Sequence, residues 1–166
     1  MRKIGRAVAI VALLPVLCGL LGCSKAPEYT AQDIRSVSLS CGQMDYSHSY
    51  SFYLRKSDGG WLLDAEYAVD SQQPRTEYEA CPVSEEDARA LLHIVQEQDV
   101  IDQLRRYRKK ASRVQVMDET TYCTAVLLSD GEQLMAPKRI SQDLETGFRR
   151  LAEKYAPAEP GADPAG

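Results

Sequence analysis

The sequence predicts an α+β fold, in which an antiparallel β-sheet carries two main helices packed on one face, in the order β-β-β-(β)-α-β-β-α. Three observations lead to this prediction. Several short runs alternate apolar and polar residues, tight turns containing Asp-Gly join two pairs of these runs, and two other runs repeat apolar residues at helical spacing. Strands joined by tight turns are antiparallel, and the chain shows no strand–helix–strand units that would build a parallel sheet.

The first strands are predicted from alternation. In 36–42 and 49–55, apolar residues occupy one parity and mainly polar residues the other, which is typical of strands buried on one side. Asp-Gly-Gly at 58–60 supplies the positive-φ residues of a tight turn, so the run 61–69 is the returning strand of a hairpin. A further short strand is predicted at 76–80.

The pattern changes to helical spacing at Pro-Val-Ser-Glu-Glu-Asp, residues 82–87. Ser84 is placed to cap a helix, and Asp87 is placed to reach back to it as in a capping box. Apolar residues then recur on one side of the helix as far as Val95. Further apolar residues at 100–104 predict a turn or a second short helix.

A second hairpin and a final helix complete the predicted domain. The alternating run 121–128 leads to Asp130-Gly131 and a partner strand at 132–136. Ser141 is placed to cap the last helix, in which large apolar residues recur at helical spacing as far as Tyr155.

These segments resemble a family of small lipoproteins and exported domains from gut-dwelling Firmicutes. Members share a Tyr-x-Phe-x-Leu strand ending in a glycine turn, here Tyr50 to Gly60, and a Val-Ser-Glu-Glu-Asp helix start, here Val83 to Asp87. They end with an Asp-Gly hairpin and a terminal helix, here Asp130 to Tyr155. The resemblance covers nearly all of the predicted domain. It implies a Gram-positive host and a position on the outer face of the plasma membrane, but it brings no activity with it.

The N-terminus predicts export and a lipid anchor. Arg2, Lys3 and Arg6 precede the apolar run Ala7 to Gly22, and the sequence Leu-Leu-Gly stands directly before Cys23. This layout resembles a bacterial lipoprotein signal, in which the cysteine is lipidated and becomes the new N-terminus. A plain cleaved signal and a transmembrane anchor fit less well, since the run is shorter than the about 20 residues a spanning helix needs. The predicted location is the extracytoplasmic face of the cell membrane.

The domain organisation follows from these segments. Residues 1–22 are the predicted signal peptide, and 23–35 are the lipidated cysteine and a polar tether. Residues 36–155 form a single α+β domain. Residues 156–166 are rich in Pro, Ala, Gly and acids, and are predicted to be a disordered tail.

The net charge of the chain limits which partners it can bind. Removal of the signal leaves 17 basic against 24 acidic residues, a net charge of −7. This surface disfavours nucleic acid, whose binding depends on Lys and Arg. The local exception is the basic run that contains Arg105, Arg106 and Arg108. It is interpreted as a solvated loop or a frayed helix end, with a patch for a wall polymer or lipid headgroups as the alternative.

Candidate site residues are few. The chain shows none of the common catalytic or phosphate-binding motifs, so no catalytic residue, metal or cofactor is predicted. Cys41, Asp45 and His48 form the nearest approach to a site, although a polar turn explains them equally well. Trp61, like the other aromatic residues of its parity, is predicted to be in the core. Tyr53 has the opposite parity and is, with His48, a candidate surface contact.

The cysteines leave two alternatives. After loss of the signal and lipidation of Cys23, three thiols remain, at Cys41, Cys81 and Cys123. A Cys41–Cys81 disulfide is the first candidate in an exported domain, because Cys41 has the inward parity of its strand and Cys81 stands at the end of another. The alternative is three unpaired thiols, which an anaerobic host, as the resemblance suggests, would favour.

The function predicted from sequence is a non-catalytic binding module of unknown ligand, anchored to the membrane by its lipid. Its partner is predicted to be another envelope protein or a wall polymer. A small cell-surface hydrolase or metal-dependent enzyme is one alternative, and a peptidase-inhibitor-like module is another. The oligomeric state is left open.

Overall fold

The computed structural model describes residues 29–43, 48–68, 74–110 and 120–157. The strands are β1 (Ile34–Gln43), β2 (Tyr50–Ser57), β3 (Gly60–Tyr67), β4 (Thr76–Val83), β5 (Thr120–Leu128) and β6 (Gln133–Ala136), and the helices are α1 (Glu85–Glu97), α2 (Val100–Lys110) and α3 (Gln142–Tyr155). The strands form one six-stranded sheet in the order β4-β3-β2-β1-β5-β6, with every neighbouring pair antiparallel. The predicted α+β class is confirmed.

One face of the sheet carries the core. Its inward side chains and the buried residues of all three helices form a single apolar cluster. At the centre, the ring of Phe52 stacks with the ring of Tyr50, at 5.3 Å, and with the ring of Phe148 of α3, at 5.6 Å. Trp61 is also buried, as its parity predicts. These stacked rings fix α3 against the middle of the sheet.

Serine caps begin α1 and α3, as predicted. The Oγ atoms of Ser84 and Ser141 accept hydrogen bonds from the backbone N–H groups of Asp87 and Leu144, at 3.1 and 3.2 Å. The predicted capping box also needs the Asp87 carboxylate to accept from the Ser84 backbone N–H. This part of the prediction is wrong, because that N–H donates to the Tyr155 hydroxyl, at 3.0 Å. The N-terminus of α1 is therefore tied to the C-terminus of α3.

The basic run forms the end of a helix, so the first of its two predicted forms, a solvated loop, is wrong. It lies in α2, which continues the chain directly after α1 where a turn or short helix was expected. Apolar Val100, Ile101 and Leu104 are buried on one side of α2, and Arg106 and Arg108 are exposed on the other. Because the apolar spacing stops at Leu104, the sequence pattern did not reveal the last turns of this helix.

The folded part begins by Tyr29, within the segment 23–35 that was predicted to be a tether. The Tyr29 carbonyl accepts a hydrogen bond from Gln96 at the end of α1, at 3.2 Å, and the guanidinium of Arg105 lies 4.2 Å from the Tyr29 ring. β1 follows at Ile34. Residues 29–35 therefore belong to the folded part and not to the predicted tether.

β4 is longer than the predicted 76–80 and contains a bulge. Glu79 and Ala80 lie together opposite Asp64 of β3, where the register shifts by one residue. Ala80 has φ of +51°, in the left-handed region. The Asp64 carboxylate accepts a hydrogen bond from the Ala80 backbone N–H, at 2.6 Å, so the bulge amide is satisfied.

Several predictions fall outside the described residues: the signal peptide 1–22, lipidation of Cys23, the position of Asp45 and all but the first two residues of the tail 156–166. Within the described ranges, no helix has the length and apolar character needed to cross a membrane.

Candidate functional site

The face of the sheet opposite the helices is the main candidate site, and we call it the open face. Its central row runs across five strands, from Asp64 through Tyr53, Ser38 and Ala125 to Met135, each directly opposite the next. Directly opposed residues of antiparallel strands point to the same side of a sheet. The row therefore combines a carboxylate, an aromatic ring, two small residues and an exposed thioether.

A second row lies beside it. Leu62, Arg55, Ser36, Leu127 and Gln133 are opposed in turn across the same five strands. Serine again occupies the position on β1, in the middle of the sheet. Both rows thus have a shallow centre with larger side chains on either side.

The third row is the most polar. Glu77, Glu66, Ser51, Ser40 and Cys123 follow one another from β4 to β5. Burial raises the pKa of the Cys123 thiol, which keeps it in its less reactive protonated form. This row offers two carboxylates at one end and no charge at the other.

The apolar part of the open face is exposed. Tyr53, Leu127 and Met135 retain 37%, 36% and 57% of their accessible surface, and they are the exposed large apolar residues of the described chain. All three lie on this one face. Scattered apolar residues on a surface are ordinary, so it is the confinement of these three to one face that makes the face a candidate interaction surface.

The acidic part of the open face lies on β3 and β4. Asp64 pairs with Arg55, with its Oδ2 3.3 Å from the Arg55 Nε, and Glu66 pairs with Arg75 at 2.9 Å. Glu77 stands directly opposite Glu66, and Glu79 lies in the bulge beside Asp64. Neither Glu77 nor Glu79 forms an ion pair within the described ranges, so this side of the face carries uncompensated negative charge.

A polar cluster lies on the opposite side of the sheet, beneath α3. Glu145, whose side chain is only 15% exposed, bridges the guanidinium groups of Arg139 and Arg149, at 3.3 and 3.4 Å. The two arginines lie over the rings of Tyr122 and Tyr50, at 5.4 and 4.7 Å. Burial, followed by the neighbouring Glu145 carboxylate, raises the pKa of Tyr50. These contacts account for the cluster as an attachment of α3 to the sheet.

The predicted Cys41–Cys81 disulfide is wrong. Cys41, Cys81 and Cys123 are all free thiols. Cys41 lies on β1 and Cys81 on β4, with two strands between them, so three strand spacings of about 4.8 Å place their backbones roughly 14 Å apart. A disulfide requires Cα atoms within about 7 Å. The inward parity of Cys41 was predicted correctly, but parity carries no information on strand order.

The remaining candidate contacts differ in accessibility. His48 is exposed while Cys41 is buried, so the described residues give no sign of the proposed thiol–imidazole pair. The prediction of Arg105 as a surface contact is wrong, because its side chain is only 18% exposed and pairs with Glu132. Arg108 pairs with the same Glu132 at 3.3 Å. Arg106 is exposed and donates from Nε to the Asp102 carbonyl, at 3.2 Å.

A shallow groove lies between α1 and α3 on the outer side of the helices. Its volume is ≈ 210 Å³, which is below the size of ordinary ligand pockets. Leu91, Ile94 and Gly147 form its apolar floor, and Arg150 stands at its rim. In the part of the chain that the structure describes, no group of three or more His, Cys, Asp or Glu residues could hold a metal ion.

Comparison with protein-family models, curated proteins and solved structures finds no match for this chain. The candidate site therefore rests on geometry. Sequence reasoning selected Tyr53 but missed Leu127 and Met135, although both are large apolar residues on the outward parity of predicted strands. That signal was available in the second hairpin, but only the strand order shows that β5 and β6 lie in the same sheet as Tyr53, with β1 between β2 and β5.

Proposed function

We propose that the chain is a lipid-anchored extracytoplasmic protein that binds another envelope protein, without catalysis, through the open face. The observation that carries the proposal is the confinement of Tyr53, Leu127 and Met135, with their exposed apolar surface, to that face. Protein–protein interfaces join an apolar, aromatic and Met-containing centre to a polar rim, and the open face offers this combination.

The anchor is supported by the sequence around Cys23. Cys23 precedes Tyr29, the first described residue, by six positions, so the connection spans at most about 20 Å. A thioether-linked diacylglycerol and an amide-linked acyl chain bury enough methylene groups to hold a protein stably on a bilayer. The folded part would then remain close to the outer surface of the membrane.

The anchor is tested by substitution. Cys23→Ser is expected to abolish palmitate labelling and to release the protein from membranes, with the thermal unfolding of the domain unchanged. Cys123→Ser is the matched control, because it also removes a thiol but leaves the anchor. Membrane retention and labelling of Cys23→Ser would contradict the proposed anchor.

The binding face is tested by crosslinking in intact cells of the source organism, with the full-length native protein as bait. Tyr53→Ser/Met135→Ser removes two exposed apolar contacts, and we expect it to lose a partner that the native protein captures. Arg89→Ser/His93→Ser changes two exposed residues of α1 and should keep that partner. Equal capture by both double variants would overturn the open face as the binding surface.

A further inference from the structure

We infer that the partner presents a protein surface that is both basic and apolar, and that it is not a second copy of this chain. This inference rests on the proposed function and specifies the chemistry of what the open face binds. It is carried by the distribution of charge across the face, together with the places where large apolar residues are exposed.

The β3–β4 side of the face attracts cations. Glu77 and Glu79 are exposed and form no ion pair with described residues. Glu79 contributes to the negative potential at Arg55, which is already paired with Asp64. A partner that places Lys or Arg opposite these two glutamates would remove an existing repulsion between Glu77 and the directly opposed Glu66.

The described outward residues of β5 and β6 carry no charge. They include Ala125, Leu127, Gln133 and Met135. Apolar contacts are the interactions available to a partner there, and the serines of β1 and β2 leave room for its side chains to approach the sheet. A partner must therefore carry basic groups and apolar groups four or five strand spacings apart, roughly 19–24 Å, to reach β4 and β5–β6 together.

Symmetry argues against a second copy. Consider two copies whose open faces meet, with the two-fold axis in the plane between the sheets. An axis perpendicular to the strands would bring Glu77 and Glu79 onto the same residues of the other copy, which places like charges together. A two-fold axis parallel to the strands would lay these glutamates on Leu127 and Met135, which buries carboxylates without a counter-charge. Burial of an unpaired charge costs several kcal/mol, so neither arrangement is favourable.

The same glutamates argue against an anionic partner. An anionic wall polymer or lipid headgroup would be repelled by the net charge of the face, and the exposed apolar residues would gain nothing from it. A protein surface supplies both the cations and the apolar groups.

The test uses the mature lipidated protein in neutral detergent micelles and two synthetic probes. One probe is a short peptide of alternating Lys and Val, and the other replaces every Lys by Glu. We expect the basic peptide to bind more tightly at low salt than at high salt, with NMR amide shifts confined to the open face. The acidic peptide is expected not to bind.

Matched variants separate charge at the face from charge elsewhere. Glu77→Gln/Glu79→Gln is expected to weaken binding of the basic peptide about tenfold. Glu86→Gln/Glu153→Gln makes the same change of net charge on α1 and α3, and should leave the affinity unchanged. Equal losses in both double variants, equal binding of the acidic peptide, or sedimentation of the protein as a dimer through the open face would overturn the inference.

The cell crosslinking experiment distinguishes this inference from the proposed function. Loss of the partner in Tyr53→Ser/Met135→Ser, with full retention in Glu77→Gln/Glu79→Gln, would support the binding face and reject a basic partner. Retention in both would reject the binding face itself. Loss in both, with retention in Glu86→Gln/Glu153→Gln, is the result we expect.

Discussion

Ala80 shows how one residue sets the shape of an edge strand. Its left-handed backbone costs an L-residue about 1–2 kcal/mol, and glycine would avoid that cost. We therefore expect Ala80→Gly to raise the free energy of unfolding by about 1 kcal/mol, measured by urea denaturation. Ala90→Gly, at an exposed position inside α1, should lower it by a similar amount. Destabilisation by both variants would show that the left-handed conformation of Ala80 is not strained.

Asp87 joins the two ends of the α1–α3 pair. Its carboxylate accepts hydrogen bonds from Lys154 Nζ, at 2.7 Å, from the Tyr155 hydroxyl, at 2.6 Å, and from the Ser84 Oγ, at 2.7 Å. The bond from Lys154, followed by those from Tyr155 and Ser84, holds the pKa of Asp87 well below its usual range.

This lowered pKa predicts a dependence of stability on acid. Because folding depresses the pKa, ionised Asp87 stabilises the native state above its unfolded pKa of about 3.9 and loses that contribution as the pH falls below it. Asp87→Asn should therefore be less stable than the native protein near neutral pH, with a difference that narrows towards about pH 2. Thermal unfolding across this range measures it, with Glu86→Gln as the control. A difference that stays constant with pH would contradict this role of Asp87.

At the scale of elements, the contact of α1 with α3 depends on a missing side chain. A Cβ atom at Gly147 would lie 2.8 Å from the δ1 methyl groups of both Ile94 and Leu91. These methyl groups are the ends of flexible side chains, so a single methyl can be accommodated by small rotations, whereas a branched side chain cannot.

Gly147 therefore predicts a graded series. Gly147→Ala should change the free energy of unfolding by less than about 1 kcal/mol, since the crowding is offset by better helix propensity. Gly147→Val should destabilise the protein by about 1–3 kcal/mol. Both values come from denaturant unfolding. A Val variant as stable as the Ala variant would mean that the helices separate without cost.

The elements could be predicted from sequence wherever a local signal was strong. The two hairpins, the capping serines and the apolar spacing of α1 and α3 are all local, and all were found. The later part of α2 was missed because its residues are held by Glu132 and Tyr29, which are distant in sequence. The bulge in β4 depends on a side chain from β3, which no local pattern could reveal.

The candidate site was predictable only in part, for a similar reason. Parity identified Tyr53 as outward-facing, and it could have identified Met135 in the same way. That the two share one row depends on β1 pairing with both β2 and β5, which is a long-range arrangement. The same missing information on strand order produced the incorrect disulfide between Cys41 and Cys81.

At the scale of the whole molecule, no disulfide between the described cysteines stabilises the fold. Cys41, Cys81 and Cys123 are free, and the sheet and helices are joined by non-covalent contacts, chiefly those of the apolar cluster. We expect the midpoint of thermal unfolding to be the same with and without a reductant such as dithiothreitol. A Cys41→Ser/Cys81→Ser variant should likewise show no added response to reductant. A fall in the midpoint on reduction of the native protein would reveal a disulfide on which the fold depends.

The edges of the sheet restrict how neighbouring molecules can meet. β4 is interrupted by its bulge, and Pro82 has no N–H to donate, while β6 is four residues long and packs against α2. Neither edge offers a continuous row of backbone groups to which a foreign strand could be added. Copies of this chain at high local concentration are thereby protected from joining edge to edge into fibrils, which leaves the faces of the sheet for contacts between molecules.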